Sequence, residues 1–318
     1  MNLQEPIKSG FNDKTTADEV LQGIKLSEKT IVITGGHSGI GLESTRSLAK
    51  GGAHIIVSAR NTDEAKKTLE GIANVTVLQL DLGDFDNVRA FAANLVAKGQ
   101  HVDILINSAG IMASPEKRIG AGQWESQFAT NHLGHFVLVN EMWPVLKGGS
   151  RVISVSSSGH QLSDIRWDDI NFDKGYDKWQ AYGQSKTANA LFAVQLDKLG
   201  APYGVRAFSL HPGKILTPLV RHMTKEEKIE QGWINEQGEL IDATFKTPEQ
   251  GAATQVWAAT SPLLNNLGGV YCEDCDIAEI EEKDEITYTG VKRFAIDPAA
   301  AQHLWELSVK ITGSEFKV

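Results

Sequence analysis

A tyrosine and a lysine four residues apart, Tyr182 and Lys186, are the pair in this chain best suited to chemistry. A phenol is a poor acid or base at neutral pH because its pKa lies at about 10. An ammonium held one helical turn away stabilises the phenolate and draws that pKa toward the working range. The i, i+4 spacing puts both side chains on one face of a helix. Upstream, Val155-Ser156-Ser157 closes an apolar strand with hydroxyls. Further upstream, Thr34-Gly35-Gly36-His37-Ser38-Gly39-Ile40-Gly41 forms a glycine-rich turn. This is equipment for moving a proton to or from an alcohol oxygen while a nucleotide cofactor moves the hydride. The chain reads as an oxidoreductase.

The glycine turn follows a strand and opens a helix, the context that makes such a motif meaningful. Gly35, Gly39 and Gly41 let the backbone turn tightly and approach a pyrophosphate, which then sits against the helix N-terminus. Taken alone, the turn is also compatible with an ordinary βα loop. The second strand ends Ser58-Ala59-Arg60-Asn61, with no acidic side chain to bind a ribose 2′-hydroxyl. Guanidinium matches phosphate in geometry and charge, which favours NADP(H). The alternative is that Arg60 is a solvated strand-end charge.

The elements that must position these residues alternate. Strands are predicted over 30–34, 54–58, 75–80, 102–106, 151–155 and 205–210, with 269–271 as a candidate seventh. Between them lie helices over 39–50, from 62, over 84–98 and 123–146, and one carrying Tyr182 to residue 199. Strands apolar on both faces, separated by helices, predict a Rossmann-type doubly wound parallel α/β sheet covered on both sides. No linker or internal repeat divides it. The expectation is an N-terminal extension over 1–27 and one catalytic domain over 28–318. Thr16 and Glu19 have capping-box spacing before a short helix over 17–22. Three decorations follow: an insertion over 159–179, a polar helical stretch over 216–246, and a tail over 273–318 whose last helix starts at Asp297-Pro298. The acidic run 273–285 reads as a solvated loop.

Composition narrows the class. A net charge of −9 leaves no basic patch for nucleic acid or an anionic membrane surface. No apolar run approaches a membrane span, and the polar first residues lack a signal-peptide core. Two cysteines, Cys272 and Cys275, argue against a secreted disulfide scaffold, so a cytoplasmic location is expected. Their spacing is that of a redox motif, but they follow a glycine pair late in the chain, and no metal or redox role is assigned. His132 and His135 lack a third ligand at metal spacing and read as packing or surface residues.

The glycine turn and the Tyr-x-x-x-Lys pair together resemble the short-chain dehydrogenase/reductase family. Asn107-Ser108-Ala109-Gly110 is similar to its Asn-Asn-Ala-Gly motif, with serine replacing the second asparagine. Asn131-His132-Leu133-Gly134-His135-Phe136, His211-Pro212-Gly213 and Leu304-Trp305-Glu306-Leu307-Ser308 resemble one branch. That branch holds the retinol dehydrogenase-like, WW-domain oxidoreductase-like and Tic32-like proteins. The resemblance covers nearly the whole chain and is specific for family, but not for substrate.

The resemblance implies four catalytic residues. Tyr182 would exchange a proton with the substrate oxygen. Lys186 would lower the tyrosine pKa and bind the nicotinamide ribose. Ser157, preferred over Ser156 and Ser158 by strand phase and alignment, would hold the substrate oxygen. Asn131 would anchor a water relaying protons from Lys186. Cofactor contacts are implied for Thr34, Gly35, His37, Ser38, Gly39, Ile40 and Gly41, then Arg60, Asp81 and Leu82. Asn107, Ala109, Gly110, Pro212, Gly213 and Thr217 complete that set, and Asp81 would accept from the adenine amino group. The region 214–247 would be a mobile lid over a partly lipophilic carbonyl or alcohol. Trp167, Phe172, Tyr176, Trp179, Met223, Trp233 and Phe245 would line that pocket, or else pack the decorations onto the domain. A homodimer or homotetramer would form through the helices carrying Asn131 and Tyr182, with Leu191, Val194 and Leu196 contributing, unless the extension and tail cover that face. A second reading is an NADP(H)-sensing interaction protein on the same fold. Nucleotide-sugar epimerase chemistry uses the same pair, but its larger C-terminal domain is hard to find here.

Overall fold

Apolar runs with no polar face become the middle of one sheet. The computed structural model describes residues 4–315. A first helix, α1 (Ala17–Val20), precedes β1 (Thr30–Thr34), α2 (Gly39–Lys50), β2 (His54–Ala59) and α3 (Thr62–Thr68). Then come β3 (Val75–Gln79), α4 (Phe85–Lys98) and β4 (Ile104–Asn107). A small hairpin, β5 (Arg118–Ile119) and β6 (Trp124–Glu125), leads into α5 (Ser126–Phe128) and α6 (Gly134–Leu146). Next are β7 (Arg151–Val155), α7 (Lys178–Gly200), β8 (Arg206–His211) and α8 (Lys225–Glu230). The chain closes with α9 (Pro248–Thr260), β9 (Val270–Glu273), β10 (Asp276–Ile277) and α10 (Pro298–Thr312).

The eight-stranded sheet runs β3-β2-β1-β4-β7-β8-β9-β10. Every pair is parallel except β9 with β10. Strand order reverses between β1 and β4, where open α/β sheets bind ligands beyond the strand C-termini. The register pairs Thr34 with Asn107 and Asn107 with Ser154, so three strands end level and their following loops converge. Leu48, Val256 and Trp257 of α2 and α9 fill one face of the sheet. Phe136, Trp143 and Phe192 of α6 and α7 fill the other.

Three expectations are corrected. The helix read over 123–146 begins at Ser126, because Trp124 and Glu125 pair back on Arg118–Ile119 and the buried Glu125 carboxylate caps Gln127 and Phe128. Its course is interrupted by a π turn over Ala129–Leu133. The stretch 216–246 is mostly irregular, holding one 3-10 turn (Pro218–His222) and α8. The acidic run 273–285 is a solvated loop only in its second half; Cys275, Ile277 and Ala278 are buried. The turn before β10 puts Asp274 and Cys275 at φ of 51° and 61°, a glycine-free hairpin turn with little sequence signal. Helix α9 was not anticipated, although Thr247, Pro248 and Gln250 form a full capping box at its start.

The capping box at Thr16 and Glu19 forms, and Asp297 caps α10 by accepting from the Ala300 amide. The N-terminal segment is tied to the sheet edge. The Gln4 amide donates to the Tyr271 and Ala278 carbonyls at 2.8 and 2.7 Å, and Asp276 accepts from Ile7 and Ser9. No helix among the described residues is long and apolar enough to cross a membrane.

Candidate active site

The loops beyond β1, β2, β4, β7 and β8 surround one cavity of about 1120 Å³. Its floor is the glycine turn. Gly35 has φ +68° and its Cα side faces Ala109, where an added Cβ would stand 3.1 Å from the Ala109 Cα. An added Cβ on Gly41 would lie 2.5 Å from the Gly35 carbonyl oxygen, so α2 can start this close to the turn only without a side chain there. The Thr34 hydroxyl accepts the Ser108 and Ala109 amides, each at 3.0 Å, and ties this turn to the loop after β4.

Three serines end β7, and each has a different job. Ser156 Oγ donates to the Lys186 carbonyl at 2.7 Å. The Ser158 amide donates to His211 Nδ1 at 3.1 Å, and so does Gly213, at 3.2 Å. Ser157 Oγ accepts the Gly159 amide at 3.0 Å, and it lines the cavity together with Tyr182. Opposite, α7 presents Tyr182 and Lys186, each only 4% exposed. Its N-terminus is capped by Asp177, which accepts from Trp179 and Gln180.

The electrostatics of this pair differ from the sequence expectation. Burial pushes the Tyr182 phenol up to about 12, and the neighbouring Ser157 hydroxyl opposes that only in part. Lys186 Nζ stands 5.6 Å from the Tyr182 ring centroid and donates to the Val155 carbonyl at 3.0 Å. Burial brings the ammonium itself down to about 8. Desolvation drives both groups toward neutrality and outweighs the mutual effect expected from their spacing.

Asn131 lies in the π turn, behind the cavity wall. Its Oδ1 accepts the Ile111 amide, and its Nδ2 donates to the Ile111 carbonyl and Ser185 Oγ, all at 2.9 Å. Its carbonyl accepts from His135 Nδ1 at 2.9 Å, while His135 Nε2 meets the Thr34 hydroxyl at 2.9 Å. His135, read from sequence as a packing residue, therefore joins the Asn131 turn to the glycine turn. Burial holds its pKa down at about 4. His132 instead bonds Ser308 of α10. Cys272 and Cys275 are buried free thiols, both pushed up by burial.

Of the other implied cofactor residues, Gly35, His37, Ser38, Gly39, Ile40 and Gly41 line the cavity. So do Arg60, Asp81, Leu82, Ala109 and Gly110, and also Pro212, Gly213 and Thr217. Asp81 Oδ1 accepts the Gly83 amide at 3.0 Å. Thr34 and Asn107 stand one residue below the lining. The apolar wall comes from Met112, Trp179, Leu219, Val220, Trp233 and Phe245, while Tyr288 reaches in from the segment after the acidic run. Several of these were invisible to motif reading because they come from irregular segments. Trp167 stacks on His303, the Phe172 ring lies under Arg166, and Tyr176 bonds the Ser114 carbonyl, so these three pack the insertion rather than line the cavity.

A family profile described as short chain dehydrogenase matches residues 29–228. The chain belongs to the short-chain dehydrogenase/reductase family. It is 40% identical over 290 residues to a probable oxidoreductase of Streptomyces lividans, covering 88% of this chain and 96% of that one. It is 36% identical to short-chain dehydrogenase TIC 32 B, chloroplastic, of Brassica napus, over 96% of each chain. The crystal structure of a putative uncharacterized protein from Mycobacterium paratuberculosis superposes with a TM-score of 0.71 at 32% identity, covering 92% of this chain and 97% of that one. As a short-chain dehydrogenase/reductase, the protein is an oxidoreductase of carbonyl and alcohol groups that works with a nicotinamide cofactor. The residues present fit that group. The glycine turn and the start of α2, both lining the cavity, come together only because Gly41 has no Cβ, and both amide atoms of the buried Asn107 side chain have no partner among the described residues. An unpaired buried amide beside the cofactor turn is a ready anchor for an added polar group.

Proposed function

We propose that the chain is an NADP(H)-dependent oxidoreductase that interconverts a carbonyl and an alcohol, with Tyr182 as general acid and base. One observation carries the reading. One cavity is lined on one side of the β1/β4 crevice by Ser157, Tyr182 and Lys186, and on the other by Arg60, whose strand end carries no acidic side chain. Bound NADP(H) supplies or takes up the hydride. Burial keeps Tyr182 protonated at neutral pH, the form that donates to a carbonyl oxygen during reduction. Ser157 Oγ holds that oxygen and favours the charge that develops on it. Lys186, fixed by the Val155 carbonyl, places a cation near the phenol as its proton leaves. Asn131, its amide already committed to Ile111 and Ser185, acts as a positioning residue for the turn beneath the site.

The apolar wall of Met112, Trp179, Leu219 and Val220 suits a partly lipophilic aldehyde, ketone or alcohol. The lid over 214–247 would close on it. Two buried free thiols suit a reducing compartment such as the cytoplasm. The test follows NADPH consumption with aldehydes, ketones and quinones, comparing the native protein with Tyr182→Phe. Turnover is expected to fall by about 10²-fold or more in the variant, with NADPH affinity unchanged by fluorescence titration. Equal turnover in the variant would remove the acid–base role. Tight NADPH binding without turnover of any class would favour the cofactor-sensing reading.

A further inference from the structure

Two arginines and a histidine line the cavity where it runs past the end of β2: Arg60 from the strand end, Arg221 from the 3-10 turn Pro218–His222 and His37 from the glycine turn. Six other arginines, at 46, 89, 118, 166, 206 and 293, pair with carboxylates. Arg151 is held by the Ala258 and Ser261 carbonyls and by Asn265. Arg60 has no hydrogen bond or ion pair among the described residues. Arg221 donates only to the Pro218 carbonyl, at 3.1 Å, within its own turn. The two uncompensated guanidinium groups share one wall. Burial, and after it the Arg60 charge, hold Arg221 below its ordinary value. Burial also lowers His37; Glu64 opposes this and Arg60 adds to it. Glu64 lines the same wall, but its carboxylate accepts from Asn61 Nδ2 at 3.3 Å. Like charges gathered without a counter-ion are unfavourable, and a phosphate dianion accepting from both forks reverses that cost.

The turn that carries Arg221 is rooted on the cofactor turn. Thr217 caps it by accepting the Leu219 amide at 3.3 Å. A Cβ added to Gly39 would stand 3.2 Å from the Thr217 Cβ. We propose that Arg221 is a second, lid-borne anchor for the 2′-phosphate of NADP(H), shared with Arg60, so that this phosphate orders the first turn of the lid. The inference rests on the NADP(H) reading above, and it assigns to the adenosine end of the cofactor a hold on the segment that covers the substrate.

The test needs no turnover. Binding of 2′,5′-ADP and of 5′-AMP is measured by calorimetry for the native protein, Arg60→Ala, Arg221→Ala and Arg221→Lys. Hydrogen exchange is followed over residues 214–223 with each ligand. The native protein is expected to prefer 2′,5′-ADP. Arg221→Ala should cut that preference by about tenfold or more, with 5′-AMP affinity unchanged as the control for folding, and Arg221→Lys should restore part of it. Slowed exchange over 214–223 with 2′,5′-ADP should be lost in Arg221→Ala. If Arg60→Ala abolishes the preference while Arg221→Ala leaves both preference and lid protection intact, the lid anchor is wrong and the NADP(H) reading stands. If the native protein does not distinguish the two nucleotides, the NADP(H) reading itself fails.

Discussion

In the proposed mechanism, Lys186 is where catalysis and stability pull in opposite directions. Its ammonium is drawn down from 10.5 to about 8 because burial penalises the charge. Between those values the unfolded chain binds the proton and the folded chain does not, so stability falls as pH falls through that window. The full cost, about 3 kcal/mol, is in place below pH 8 and absent above the unfolded value. Lys186→Met should therefore raise the melting temperature at about pH 7, lose that advantage near about pH 11, and abolish most turnover. The Val155 carbonyl keeps Asn189 Nδ2 as a donor at 3.0 Å, so the substitution leaves it satisfied. A variant that melts lower than the native protein at neutral pH would show that the buried charge is compensated. The tyrosine–lysine spacing was plain in the sequence. The balance between desolvation and mutual attraction was not, because it depends on how much protein surrounds the pair.

At the scale of elements, the π turn over Ala129–Leu133 decides where Asn131 points. Inserting one wide turn in a helix displaces its carbonyls from the regular ladder, a device common at functional sites. Here the Asn131 amide closes a two-way clamp on Ile111 and its carbonyl takes the His135 proton. Asn131→Ala leaves buried backbone groups without partners and should destabilise the protein by about 1–3 kcal/mol. Faster hydrogen exchange is expected at Ile111 and Met112, the segment lining the cavity. Normal protection there would mean that the loop is held by other contacts. The strands were readable to within about two residues because their apolar runs are uninterrupted. The hairpin at Trp124 was not, because its strands are only two residues long and leave no alternating pattern around Gly120 and Gly122; nor was the turn at Asp274, which carries no glycine or asparagine to mark the reversal.

For the whole molecule, the tail is the decisive element. Helix α10 lies along α7, with Trp305 stacked on Phe192 at 5.7 Å and edge-on to Phe136 at 4.8 Å. Leu191 and Leu196 are fully buried within the chain, so the face expected to join subunits is occupied by the chain's own C-terminal helix. Light scattering should accordingly report a species of about 34.6 kDa. Trp305→Ala should cost about 3–5 kcal/mol and expose that face, with larger species following. A dimeric native protein would place the subunit contact elsewhere on the surface.

The sequence alone determined the family and the sheet and pointed to the groups proposed to react, because these follow from local signals: apolar runs, glycine spacing and a four-residue interval on one helix. Ser157 stands apart from its neighbours by strand phase, and its hydroxyl lines the cavity with Tyr182 while Ser156 Oγ is spent on the Lys186 carbonyl. Only the tertiary structure decided which aromatics line the cavity, that His135 links two turns a hundred residues apart, and that Arg221 comes to stand beside Arg60. Each of those is a meeting of segments distant in the chain, and a meeting of that kind leaves no periodicity or spacing for a reader of one sequence to find.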